Sequence, residues 1–235
     1  MLRRRFWPSS LLFIVALASC SGRSAELRGV ISANADRGIK EILNMYGGRC
    51  EYGLAVRGGE KLFWVRLSQS NVVNKYARTP RLPASGIAYL LFRNLGAEQS
   101  KYNKIRSVIV DASGAERQFE FATDSMMIVR QKYQALERAA KLIGDGDFDG
   151  LENSFAHTLT PEQQALVRQR LVRLQPQLGR VDSVKPFGFL YFEDEDGPQV
   201  HLAAILFREK GEHPFSVDLS LRPGLDSIRM LNYQL

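Results

Sequence analysis

Side chains whose types and spacing could do chemistry are few in this 235-residue sequence: one histidine set among apolar residues, one spaced run of aspartates and two cysteines. His201 alternates with Ala203, Ile205 and Phe207, while Val200, Leu202 and Leu206 take the intervening places, the period-two pattern of a strand. An imidazole titrates near working pH and can serve as a general base, with Tyr191 or Asp218 from neighbouring strands orienting it. The alternative is an exposed or structural histidine, because a one-residue slip in register turns His201 to the other face. His157 and His213 fall at element ends. Asp145-Gly-Asp147-Phe-Asp149-Gly150 matches the opening of a calcium loop, but Ala156 stands where the bidentate glutamate belongs and Glu152 where an apolar residue belongs. We therefore expect a turn in which Gly144 ends one helix and Asp147 caps the next, and no metal site. Cys50 opens an alternating run with Tyr52, Leu54 and Val56 and reads as a buried structural thiol. No second free cysteine, nucleophile elbow, phosphate loop, dinucleotide fingerprint or zinc helix is present, so no cofactor is expected.

The elements that must position these groups divide at residue 124. Before it, a helix over 34–46 carries Ile39, Ile42, Leu43 and Tyr46 on one face and stops at Gly47-Gly48. Strands over 50–56 and 61–68 form a hairpin across Arg57-Gly58-Gly59-Glu60. A loop over 71–83 holds Lys75, Arg78 and Arg81, and a second helix, capped by Ser85, carries Ile87, Leu90, Leu91 and Leu95. A second hairpin joins 105–111 to 116–121. This is an α-β-β-α-β-β module over 33–123. From 124 to 235 the pattern is a long helix after Ser125, a short one over 148–155, a third begun by Thr160-Pro161-Glu162-Gln163, and four strands over 183–193, 199–209, 214–222 and 227–233. Both parts are α+β, the second with three helices on one face of an antiparallel sheet. Phe63-Trp64 and Phe187-Gly-Phe189-Leu-Tyr191-Phe192 read as core strands, and Glu193-Asp-Glu-Asp196 as a solvated hairpin tip.

Tyr133 to Leu142, Gly146-Asp147-Phe148, Phe155, Thr160-Pro161-Glu162-Gln163 and Leu178-Gly179, followed by long strands, resemble the nuclear transport factor 2-like superfamily, in its bacterial branch of unassigned function. The resemblance implies a curved sheet closing a cone whose mouth can hold a small molecule. It implies little about activity, because that superfamily contains isomerases, cyclases, dehydratases and non-enzymatic binding domains.

The N-terminus bears on location. Arg3-Arg-Arg5 precedes an apolar run over 11–18, the layout of a secretory signal peptide over 1–19. The run is too short to span a bilayer, which takes about 20 apolar residues. Leu17-Ala18-Ser19-Cys20 resembles the bacterial lipobox, which implies that Cys20 receives a diacylglycerol and becomes the first residue of a lipidated tether over 20–32. Ser21 after it resembles outer-membrane lipoproteins. With Cys20 acylated, Cys50 has no partner for a disulfide. The formal charge of +7 falls to +4 when Arg3, Arg4 and Arg5 are removed, and residues 21–124 hold most of the positive excess. That excess suits an anionic bilayer surface, with Lys75, Arg78 and Arg81 facing it, or a solvated face without a partner. Nucleic acid is excluded for an exported protein. We expect a periplasm-facing envelope lipoprotein that binds a partner protein or small ligand without catalysis; the alternative is an isomerase- or hydrolase-like enzyme acting through the cone with His201.

Overall fold

The computed structural model describes residues 25–27, 32–155, 160–222 and 227–233; residues 1–19, read above as a signal peptide, and Cys20 lie outside them. The protein is α+β, with six α-helices and two sheets among the described residues. The first sheet has the order β1-β2-β3-β4-β5: β1 (Ala25–Leu27), β2 (Arg49–Arg57), β3 (Glu60–Ser68), β4 (Lys104–Val110) and β5 (Glu116–Ala122). β2 and β3 turn over Gly58 and Gly59, whose φ values of 57° and 86° are those a two-residue hairpin turn asks of its central residues. β3 and β4 are parallel, so the chain between them crosses back through helices: α2 (Asn71–Lys75), α3 (Arg81–Leu95) and a 3-10 turn (Gly96–Lys101). Alternation then sorts the side chains. Phe63, Val65 and Leu67 enter the core, whereas Trp64 lies on the outer face with its indole over Gly53, where a β-carbon would stand 2.6 Å from the ring. The core position expected for Trp64 is therefore corrected; only its neighbour Phe63 takes it.

The second sheet is an antiparallel meander of β6 (Val181–Asp194), β7 (Gly197–Arg208), β8 (Gly211–Ser220) and β9 (Ile228–Tyr233). It packs against α3 and against α4 (Thr123–Asp145). α5 (Phe148–Asn153) and α6 (Pro161–Leu178) pack on α4, and Gln175 of α6 also accepts from Arg208 of β7 at 3.4 Å. The apolar residues of α3 run all round it, and Leu82 to Phe92 are buried without interruption, as expected of a helix enclosed on every side. α1 (Ala33–Tyr46) covers α3, and the buried side chains of both sheets belong to one continuous core. α4 follows β5 with no intervening linker.

The closest approach of α3 to the second sheet is made by backbone. A β-carbon at Gly86 would stand 1.9 Å from the Phe187 carbonyl oxygen, and one at Gly188 would stand 2.1 Å from the Leu82 carbonyl oxygen. β6 bulges here, its register shifting between Pro186 and Gly188. Three consecutive carbonyls at the bulge accept from buried hydroxyls on three different helices. Tyr46 of α1 donates to Phe187 O, and Tyr133 of α4 donates to Gly188 O at 2.8 Å. The Ser85 hydroxyl of α3 lies 2.7 Å from Phe189 O and equally from Leu82 O, between which its one proton is shared, and accepts from Phe189 N at 2.7 Å. Burial without a partner would cost each of these carbonyls free energy, so the hydroxyls specify how the helices dock.

Ser85 is thus not the cap of its helix, as its sequence context suggested. α3 starts at Arg81, and Pro83 is tolerated because its missing N–H falls in the first turn, where no intrahelical acceptor exists. The long helix likewise begins at Thr123, before Ser125, and runs through Gly144 to end at Gly146 in a left-handed conformation. Asp147 caps α5 by accepting from Gly150 N at 2.9 Å, and Thr160 and Gln163 form the expected capping box on α6. The stretch 20–32, read as a tether, contributes β1, which pairs Ala25 with Val56 and Leu27 with Leu54.

Candidate functional site

His201 lies on the face of β7 that turns away from Val200, Leu202 and Leu206, which are fully buried. In the cross-strand register it stands between Leu190 of β6 and Asp218 of β8. The imidazole Nδ1 is 2.6 Å from Asp218 Oδ1, and the two side chains keep 31% and 17% of their exposure. A carboxylate on Nδ1 holds one tautomer and orientation and leaves Nε2 for another partner. One row further along, Ser216 pairs with Asn232. His201, Ser216 and Asn232 edge a groove of about 150 Å³ whose other walls include Tyr76, Leu82 and Phe187, while Asp218 is not among its lining residues. Small-molecule sites run from about 300 to 1,000 Å³, so the groove accepts a side chain or a small functional group rather than a whole drug-sized substrate.

Tyr191 does not join this group. It stands opposite Val200, on the other face of the sheet, and its hydroxyl donates to Ser125 O at 3.2 Å. Burial pushes its phenol up to about 12, against the pull of Arg81. Of the three residues the sequence offered, the structure brings together His201 and Asp218 and separates Tyr191, because adjacent strand positions face opposite sides. Between sheet and helices, where a cone would open, Tyr133, Phe189, Leu136, Leu202 and Phe215 fill the space as fully buried side chains.

The aspartate run is dispersed. Asp145 pairs with Lys141, Asp147 caps α5, and Asp149 meets Arg168 at 2.5 Å. Among the described residues no group of acidic, histidine or cysteine side chains could hold a metal ion. Cys50 is half-buried, and its thiol is pushed up to about 12, first by burial and then by the Glu51 carboxylate, which suits an inert thiol.

Lys75, Arg78 and Arg81 are all exposed. Ala77 O, between the first two, accepts from Arg117 at 3.0 Å, and Arg117 stands opposite Ile109 near the end of β4. Lys75 and Arg78 therefore flank a turn at the end of the first sheet opposite to the one β1 enters. The Arg81 guanidinium sits 5.7 Å from the centre of the Phe121 ring.

At the same end as Lys75 lies a larger polar groove, about 370 Å³, which sequence reasoning missed. Arg49, Glu51, Arg66, Gln69 and Asn74 line it. Arg66 bonds Glu116 at 2.7 Å and reaches Glu51 at 3.5 Å, while Asn74 Oδ1 is buried without a hydrogen-bond partner. Gln69 holds a left-handed φ of 57°, unusual for a residue with a side chain. Alternating charge along the outer face of β2 and β3 was the available signal, but which strand ends meet depends on the parallel crossover.

No helix among the described residues is long and apolar enough to cross a membrane. No protein-family model matches the chain, and neither does any curated protein or solved structure.

Proposed function

We propose that this protein is a bacterial lipoprotein, held by an acylated Cys20 in the outer membrane and facing the periplasm, where it acts as a non-catalytic binding or scaffold module of the cell envelope. The observation that carries the reading is Leu17-Ala18-Ser19-Cys20, placed directly behind three arginines and a short apolar run. Two or three acyl chains, at about 0.8 kcal/mol per buried methylene, hold a protein at a bilayer far longer than one chain does. Two α+β modules, 33–123 and a cone-like nuclear transport factor 2-like part over 124–235, would then sit at the membrane surface. The filled interior supports binding over catalysis, since an enzyme of a small molecule needs an open cavity with converging polar groups. Partners are the bilayer and an envelope protein or small ligand that uses the outer grooves.

The test is Cys20→Ala in cells fed a fatty-acid analogue. Labelling should vanish and the protein should move from the membrane to the soluble fraction. Persistent labelling, or membrane recovery unchanged by the substitution, refutes the anchor.

The His201–Asp218 contact at 2.6 Å favours a second reading, an enzyme of small substrates with His201 as base and no cofactor. A thermal-shift screen of small esters and carbonyl compounds separates the two. Under the first reading no hit is turned over; turnover by the native protein that is lost in His201→Gln would establish the second.

A further inference from the structure

We infer that the bilayer faces the end of the first sheet at which β1 enters, the end made by Val56, the turn from Arg57 to Glu60, and Lys61; this deepens the proposed anchoring and rests on acylation of Cys20. Ala25 pairs with Val56, and Val56 pairs across the hairpin with Lys61, so β1 joins the sheet beside the tip of that hairpin. Only Ser21, Gly22, Arg23 and Ser24 separate Ala25 from Cys20. Five Cα-to-Cα steps reach about 18 Å even when fully extended. β2, with nine residues, runs about 30 Å along the sheet. The lipid therefore tethers the hairpin end closely, while the turn after β4, the Lys75–Arg78 turn and the polar groove lie a strand length beyond it.

The side chains at the tethered end suit a headgroup layer. Val56 keeps 44% of its surface exposed, and among the described residues neither Arg57 nor Lys61 has an ion-pair partner. Lys104 at this end is paired with Glu60 at 2.7 Å and Lys101 with Glu98 at 3.1 Å, which leaves Arg57 and Lys61 with Asp124, just past β5, as the one nearby carboxylate in no ion pair among the described residues. The short spacer, more than charge, sets the orientation. A sheet lying flat would press its outer face on the lipid, and that face carries the Arg66–Glu116 and Arg106–Glu120 pairs. The headgroup-facing role that the sequence suggested for Lys75 and Arg78 thus passes to Arg57 and Lys61, while Arg81 lies against Phe121, opposite Ile105. The groove beside Asn74 is lifted clear of the membrane, where a periplasmic partner can reach it.

The experiment uses the full chain, lipidated in cells and reconstituted into vesicles of phosphatidylethanolamine and phosphatidylglycerol with a quencher on the headgroups. A fluorophore is attached at Arg57→Cys, Lys75→Cys or Ala112→Cys, with the parent chain as the blank for any labelling of Cys50. Quenching at 57 should exceed that at 75 and 112 several-fold. Equal quenching at the three positions overturns the orientation, and a reversed order overturns it in favour of Lys75, Arg78 and Arg81. A chain whose mass shows acylation but whose quenching is flat defeats this inference alone. A chain recovered soluble and without acyl mass defeats the anchor and the inference together.

Discussion

Gly86→Ala and Gly188→Ala should each destabilise the protein by about 3 kcal/mol or more, a large share of the roughly 5–15 kcal/mol that holds an ordinary domain folded. The cause is steric. The new β-carbon at 86 would stand 1.9 Å from Phe187 O and 2.0 Å from the Tyr46 hydroxyl oxygen; at 188 it would stand 2.1 Å from Leu82 O. The nearest contact at each position is a backbone carbonyl inside a close-packed interior, so no movement of a side chain alone can relieve it. Relief requires α3 to part from β6, and that movement breaks the hydroxyl contacts to Phe187, Gly188 and Phe189 as well. Gly59→Ala is the control. It is strained by its φ of 86° but meets nothing within 4 Å, and should cost about 1 kcal/mol. Urea unfolding of the three variants checks the ranking; wild-type-like midpoints for Gly86→Ala would show that α3 and β6 are not in backbone contact.

Stability should collapse steeply above pH 10. Tyr46 and Tyr133 are raised well above the ordinary phenol value by complete burial, and Tyr89 is raised chiefly by burial too. In the unfolded chain all three lose their protons near pH 10, while in the folded protein they keep them. The unfolded state then binds fewer protons, so stability is fully present below pH 10 and declines as pH rises toward the folded values. Each group contributes about 1.4 kcal/mol per pH unit in that window, so the three together contribute about 4 kcal/mol per unit. Alkaline unfolding should accordingly be cooperative, with the phenolate absorbance of these three rings appearing in one step together with the loss of folded structure. Tyr133→Phe removes a third of the slope and costs about 1–3 kcal/mol at neutral pH, since Gly188 O loses its donor. Full phenolate absorbance of all eight tyrosines while the fold is intact would contradict the burial of these rings.

Much of the architecture was readable because it follows from local pattern. The Gly58-Gly59 turn, the Thr160–Gln163 capping box and the Asp147 cap all depend on residues within a few positions of one another. Helix starts were less legible where the local signal competes with a distant one. Ser85 has the type of a capping residue, yet its hydroxyl is taken by Phe189, more than a hundred positions away. In the same way Tyr191 and His201 both alternate with apolar residues, and only strand register reveals that they face opposite sides.

The amino-acid sequence by itself determined the α+β class, the Gly58-Gly59 hairpin turn and the Asp147 and Thr160 caps, because each is written in side chains near one another along the chain. Only the tertiary structure decided that α3 lies between the two sheets, that His201 meets Asp218 and not Tyr191, and that β1 shortens the link to Cys20. Those outcomes turn on strand register and on which buried carbonyl finds which hydroxyl. Such pairings join residues tens to more than a hundred positions apart, and no local periodicity records them.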